Sequence, residues 1–181
     1  MTTMTATPVA SATEAYCSLI LSASLAQTEA AATWYHDAQA VASEVANNLG
    51  VTLEVGASIV SAFSPRERWS TNVAKAIAYS LGSRPAGLGN NLRMADAALA
   101  AGFDALNGLK TNAFARAIAG DTDAVVIDVW MMRAAGMDAS APNKGQYLAL
   151  SQSVRDVASQ FGITPRTAQA LIWIIARGGA A

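Results

Sequence analysis

Positive charge is missing from the first third of this chain. No Lys or Arg precedes Arg66, while five acidic side chains (Glu14, Glu29, Asp37, Glu44 and Glu54) lie in that stretch. An N-terminus without a basic region does not read as a secretory leader. Cysteine is almost absent as well. With Cys17 alone, an intrachain disulfide and a cysteine-bound zinc or iron–sulfur cluster are excluded. Cys17 itself is expected to be a small buried apolar side chain. Long apolar runs are also lacking: the stretch from Tyr16 to Ala26 is interrupted by serines and is too short to span a bilayer. These absences predict a cytoplasmic protein that does not enter a membrane.

What the chain has in quantity is alanine, the best helix former. Of 181 residues 52% are hydrophobic and 14% charged, enough apolar surface for a real core. Few stretches alternate apolar and polar residues, so the expected class is all-α, a compact helical domain. A flexible tail is expected over residues 1–12 and one helical domain over 13–181. Helical patterns run from about Thr13 to Leu25, Thr28 to Leu49, Thr52 to Phe63 and Arg66 to Leu81. Others run from Leu92 to Ala101, from Asp104 to Asn107, from Leu109 to Ala119 and from Asp128 to Ala135. The last two are Tyr147–Phe161 and Pro165–Ala176, the final one opened by Thr164 as N-cap and Pro165 as first helical residue. Ala124-Val-Val-Ile127 reads as an extended loop. The Gly-rich loop 82–91 lacks Gly-Lys-Ser/Thr and a preceding strand, so it is not a nucleotide site. His36, the lone histidine, reads as a surface residue.

The charge asymmetry has a second consequence. Residues after 65 carry all 12 basic side chains against eight acidic ones, which leaves room for a cationic face toward nucleic acid. Arg66 and Arg68 are expected to be exposed, whereas Trp69, in step with Val73 and Ile77, is expected in the core, as are Met131 and Met132. Two short helices over residues 104–119, joined at Asn107-Gly108, would present backbone N–H groups to an anion such as a DNA phosphate. Lys110 sits in the first turn after that joint. Asp128 follows eighteen residues later at the start of the next helix, where the helix dipole favours a carboxylate.

This constellation resembles the helix-hairpin-helix (HhH-GPD) DNA glycosylase superfamily, and the chain looks like a divergent, phage-type member. The family's Gly-rich hairpin ends in Lys-Thr, matched by Gly108, Lys110 and Thr111. Its Val-Asp-Thr-His-x-x-Arg segment, at the same interval, is matched by Ile127, Asp128 and Arg133. Ser58–Ser64, Asn72 and the closing stretch Leu171–Gly178 extend the likeness over roughly residues 56–178. Leu106 departs from the pattern at the hairpin's first glycine, Trp130 replaces a histidine, and a glutamine that some relatives wedge into DNA is missing, a place Arg66 can fill.

The resemblance implies a base-excision glycosylase/AP lyase that acts on a base flipped out of duplex DNA, without metal or other cofactor. Lys110 would be the amine nucleophile at C1′ and Asp128 the catalytic carboxylate. Asn72 and Trp130 would line the pocket. Asn107, Gly108, Thr111, Arg66, Arg68, Arg116 and Arg133 would hold the DNA, mostly at its backbone. Two other readings compete. The same fold and residues would serve a phage enzyme that transfers groups onto 5-substituted thymines. Alternatively, residues 154–171 form a helix-turn-helix, with Ala158, Gly162 and Ala168 as the small residues and Thr164 opening a recognition helix, in a DNA-binding protein without catalysis.

Overall fold

A computed structural model describes residues 9–87, 89–138 and 141–179, and all regular structure among them is helical. The nine α-helices among these residues are α1 (Val9–Leu21), α2 (Leu25–Leu49), α3 (Leu53–Phe63), α4 (Trp69–Ser80), α5 (Gly89–Ala101), α6 (Leu109–Ala119), α7 (Val129–Ala134), α8 (Lys144–Phe161) and α9 (Pro165–Arg177), with a 3₁₀ turn over Gly102–Ala105. The all-α expectation therefore holds. Of the tail expected over 1–12, residues 1–8 lie outside the described residues, and the backbone is helical from Val9. Leu88, Ala139 and Ser140, in the expected loops, also lie outside them. No helix among the described residues is long and apolar enough to cross a membrane.

The chain groups into two compact units. One comprises Thr33–Val126. The other comprises the described residues up to Ala32 together with those from Ile127.

In the Thr33–Val126 unit, α3 is the central helix, packed by α4, α5, α6 and the 3₁₀ turn. Every residue from Gly56 to Phe63 is buried, which a helix apolar on all sides requires. Its two interior serines are satisfied: Ser58 Oγ donates to the Glu54 carbonyl at 2.8 Å, and Ser61 Oγ to the Thr111 carbonyl at 2.7 Å. Thr52 caps α3 through the Val55 N–H. The part of α2 in this unit lies close along α3, since a Cβ built on Gly56 would fall 2.3 Å from the Ala42 carbonyl oxygen.

In the other unit α1 packs on α7, α8 and α9, and α9 packs on α7 and α8. Tyr16, Ile127, Met131, Met132, Leu150, Val154, Ile172 and Ile174 fill its interior, as expected for the two methionines. The Thr164 hydroxyl accepts from the Thr167 N–H and Pro165 opens α9, as the sequence predicts. Cys17 corrects an expectation. It is only half-buried, and its thiol donates to Gln160 Oε1 at 3.3 Å, so it acts as a polar tether between α1 and α8. His36 is exposed, as expected.

Candidate active site

Lys110 is the second residue of α6, and its backbone is fixed from two sides. Ser61, on the central helix, donates to the carbonyl of the next residue. Asn112 then ties the lead-in to the helix: its Nδ2 donates to the carbonyls of Phe103 (3.0 Å) and Leu106 (3.2 Å), while its Oδ1 accepts from Arg116 Nε at 2.8 Å. The 3₁₀ turn is held in its own right by Glu54, whose Oε1 accepts from the Phe103 N–H. Leu106 shows why the missing glycine is tolerated. Its φ is −95°, an ordinary value for an L-residue, and its side chain is buried. Gly108 caps α6 without a side-chain hydrogen bond, and a Cβ there would meet Thr111 Oγ1 at 2.9 Å. The Lys110 side chain is half-buried and makes no hydrogen bond or ion pair among the described residues.

Asn112 permits a sharp test of this scaffold. Asn112→Ala should cost about 1–3 kcal/mol by leaving two carbonyls without their donor. The nearly isosteric Asn112→Asp should cost more, because a carboxylate faces the same two carbonyls with acceptors only. Urea unfolding of the three proteins gives the order, and an aspartate variant more stable than the alanine one would contradict this assignment.

Arg66 and Arg68 occupy the turn between α3 and α4. The Glu67 N–H donates to the Ser64 carbonyl, closing a β-turn with Pro65 in its first central position. Arg66 takes the second with φ +62°, the single positive φ outside glycine among the described residues. A left-handed conformation costs an L-residue about 1–2 kcal/mol, so the surroundings must impose it. They do: Asn91 Nδ2 donates to the Pro65 carbonyl, and Glu67 pairs with Lys75 on α4, both half-buried. This turn also explains why α4 starts at Trp69 and not at Arg66. Both arginines are exposed, as expected, and neither side chain has an ion pair or hydrogen bond among the described residues. Asn72, on the buried face of α4, is 2% exposed.

Asp128 lies in the other unit and is the N-cap of α7. Its Oδ1 accepts from the N–H groups of Trp130 (2.9 Å) and Met131 (3.1 Å), and its Oδ2 from Trp173 Nε1 at 3.1 Å. A carboxylate offers about four acceptor positions, so one remains, on Oδ2. Two buried phenols feel its charge. Burial raises Tyr16, with the negative charge of Asp128 adding to the effect, and pushes Tyr147 up to about 12, against the Ile127 N–H that its oxygen accepts. Both phenols thus stay neutral, and Tyr16 donates to the Met131 carbonyl at 2.9 Å, behind the cap. Arg133 lies over the Trp130 ring at 4.8 Å, and Arg177 over Trp173 at 4.7 Å.

The predicted residues thus fall into two sets. Asn107, Gly108, Lys110, Thr111 and Arg116 gather on α6 and its lead-in, with Arg66, Arg68 and Asn72 on the α3–α4 turn and α4. Asp128, Trp130 and Arg133 gather on α7 in the other unit. Arg116 is exposed and sits 4.6 Å over the Phe103 ring. In the helix-turn-helix segment Gln169 is buried, so it is not offered to a groove.

A family model described as a family of unknown function (DUF7178) matches residues 2–180. The chain belongs to that family. No curated protein and no solved structure matches it.

Sequence reasoning missed Ser61, Asn112, Tyr16 and Trp173, the residues that hold the two candidate groups in place. Asn112 carried a signal, an amide at i−4 from Arg116 in the first turns of a helix. The other three act through partners 45 to 115 residues away, which no local pattern marks. Trp69, expected in the core, is half-buried and touches other rings.

Proposed function

We propose that this protein is a DNA base-excision glycosylase/AP lyase of the helix-hairpin-helix type, active in the cytoplasm on a base flipped out of duplex DNA. The observation that carries this reading is the state of Lys110. An amine on the first turn of a helix, anchored through Ser61 and Asn112 yet left without an ion pair, suits a nucleophile better than a structural lysine. In the reaction its neutral nitrogen bonds to C1′ as the glycosidic C1′–N bond breaks, and the base leaves with the bonding pair and takes up a proton. Loss of one amine proton and opening of the sugar, whose ring oxygen takes up a proton, then give a protonated Schiff base, from which loss of a C2′ proton forms the C2′–C3′ double bond and expels the 3′ phosphate. Asp128, held by three donors and with one Oδ2 position left, is the catalytic carboxylate of this reading. Arg66, Arg68 and Arg116 with the α6 start bind phosphates, as does Arg133 on its own unit, and Asn72 contributes to the pocket.

Product analysis separates this from the transfer reading. Incubated with duplexes holding uracil or 5-hydroxymethyluracil, the protein should release free base and cut the strand at that position. A strand that gains mass, with no free base, would replace glycosylase by transferase.

A further inference from the structure

Three half-buried rings meet on the Thr33–Val126 unit, contributed by three different helices. Trp34 of α2 and Trp69 of α4 have centroids 4.9 Å apart, and Phe114 of α6 lies 6.1 Å from the first and 6.4 Å from the second, near edge-on to both. Tyr35, buried, backs the group at 5.3 Å from Trp34 and 6.4 Å from Phe114. Tilted and edge-on arrangements at these distances are stable in themselves. What sets this cluster apart from ordinary core is its neighbours. Phe114 follows Lys110 by four residues on α6, so both project from one side of that helix. Asn72 follows Trp69 by three on α4, so those two also share a face.

Asn72 is the second observation. Its Oδ1 is buried and has no donor among the described residues, and a buried acceptor left unpaired costs about 1–3 kcal/mol. Ser64, Ser151 and Ser153 also hold a buried hydroxyl without a partner among the described residues, but Asn72 alone of the four shares a helix face with the ring cluster, so its donor can come from a water or from a ligand seated there.

We propose that Trp34, Trp69 and Phe114 form the stacking seat for the extruded base, and that Asn72 Oδ1 accepts the imino N–H of a keto base of the thymine and uracil type. This rests on the reading of Lys110 as the nucleophile. Stacking accepts any base, since each has a π-face. Discrimination comes from the ring nitrogen: thymine and uracil present a donor at N3, which Asn72 Oδ1 accepts in the orientation found, whereas cytosine presents an acceptor there and requires the buried amide to turn over. A site built to hydrogen-bond a group rejects analogues that lack it far more strongly than shape alone does.

The test uses single-stranded oligonucleotides, whose bases are already unpaired, so that opening a duplex does not enter. Tryptophan fluorescence of the full chain is titrated with oligo(dT) and with oligo(dC) of equal length and charge. Oligo(dT) should quench and bind at least about tenfold tighter, roughly 1.4 kcal/mol. Asn72→Leu should bring the two affinities together while leaving the thermal midpoint unchanged or higher, because it removes the unpaired acceptor. Equal binding of the two oligomers by the wild-type chain overturns the proposal without any variant. So does a thymine preference that survives in Asn72→Leu. An abasic duplex has no base to seat, so trapping of Lys110 on it reports on the nucleophile alone. A trapped adduct without thymine preference removes the seat and leaves the lyase, and a preference without an adduct does the reverse.

Discussion

Gly56→Val should leave the Thr33–Val126 unit without a cooperative unfolding transition, and Gly56→Ala should lose stability even though it improves the helix. In an isolated helix, Gly→Ala gains about 1 kcal/mol. Here the added Cβ falls 2.3 Å from the Ala42 carbonyl oxygen and 3.0 Å from the Ala46 Cβ. Both belong to α2, and the oxygen is backbone, which cannot swing aside as a flexible side chain would. Overpacking of this kind costs about 1–3 kcal/mol and outweighs the propensity gain. Valine adds two more methyl groups against the same oxygen, on the central helix of the unit. Urea unfolding of the alanine variant decides the sign. An increase in stability would mean that α2 and α3 are not in the close contact described.

The second large effect concerns Asp128, which should be needed twice, for stability and for chemistry, in separable ways. Asp128→Ala removes the cap of α7, worth about 1 kcal/mol, and leaves the Trp173 indole N–H without its acceptor, worth about 1–3 kcal/mol. The combined loss should lower the melting midpoint by several degrees, at about 2–4 °C per kcal/mol for a chain of this size. Asp128→Asn should keep the cap, since its oxygen still accepts from Trp130 and Met131. Its amide nitrogen, however, would oppose the indole N–H, donor against donor. Removing that conflict with Trp173→Phe should bring back most of the stability. None of the three variants carries the negative charge, so all should lose about 100-fold or more in single-turnover base release, near 2.7 kcal/mol of transition-state stabilisation. An Asp128→Asn/Trp173→Phe protein that is stable and fully active would leave Asp128 with a capping role only.

Much of the helical layout is legible in the sequence, because its punctuation is local. Thr52 and Thr164 with Pro165 mark helix starts by capping, and Ser64-Pro65 marks a stop. The extended reading of Ala124–Ile127 also agrees with the structure, where the run is non-helical and buried. The discrepancies have physical causes. Gly89-Asn90-Asn91 reads as loop, yet α5 begins there, and buried Asn91 finds the Pro65 carbonyl as a partner 26 residues away. That tertiary bond overrides composition. The start of α8 was legible but missed: Asn143 and Gln146 form a reciprocal capping box, three residues apart, ahead of the apolar pattern that begins at Tyr147. Of the candidate site, Lys110 stands at the start of α6 and Asp128 at the start of α7, as their register predicts. The hydrogen bonds that fix them were not legible, because Ser61 and Trp173 look like any buried serine and any amphipathic-helix tryptophan until the chain is folded.

The central claim, that Lys110 is an amine nucleophile toward the C1′ of DNA, is tested most directly by borohydride trapping. The protein would be mixed with duplexes carrying an abasic site, uracil, 8-oxoguanine or 5-hydroxymethyluracil and reduced. A covalent protein–DNA complex should form on at least the abasic duplex, and Lys110→Ala, folded by its circular dichroism, should give none. Absence of any adduct from a wild-type protein that still binds these duplexes in a salt-dependent way would contradict the claim. So would an adduct that persists undiminished in Lys110→Ala.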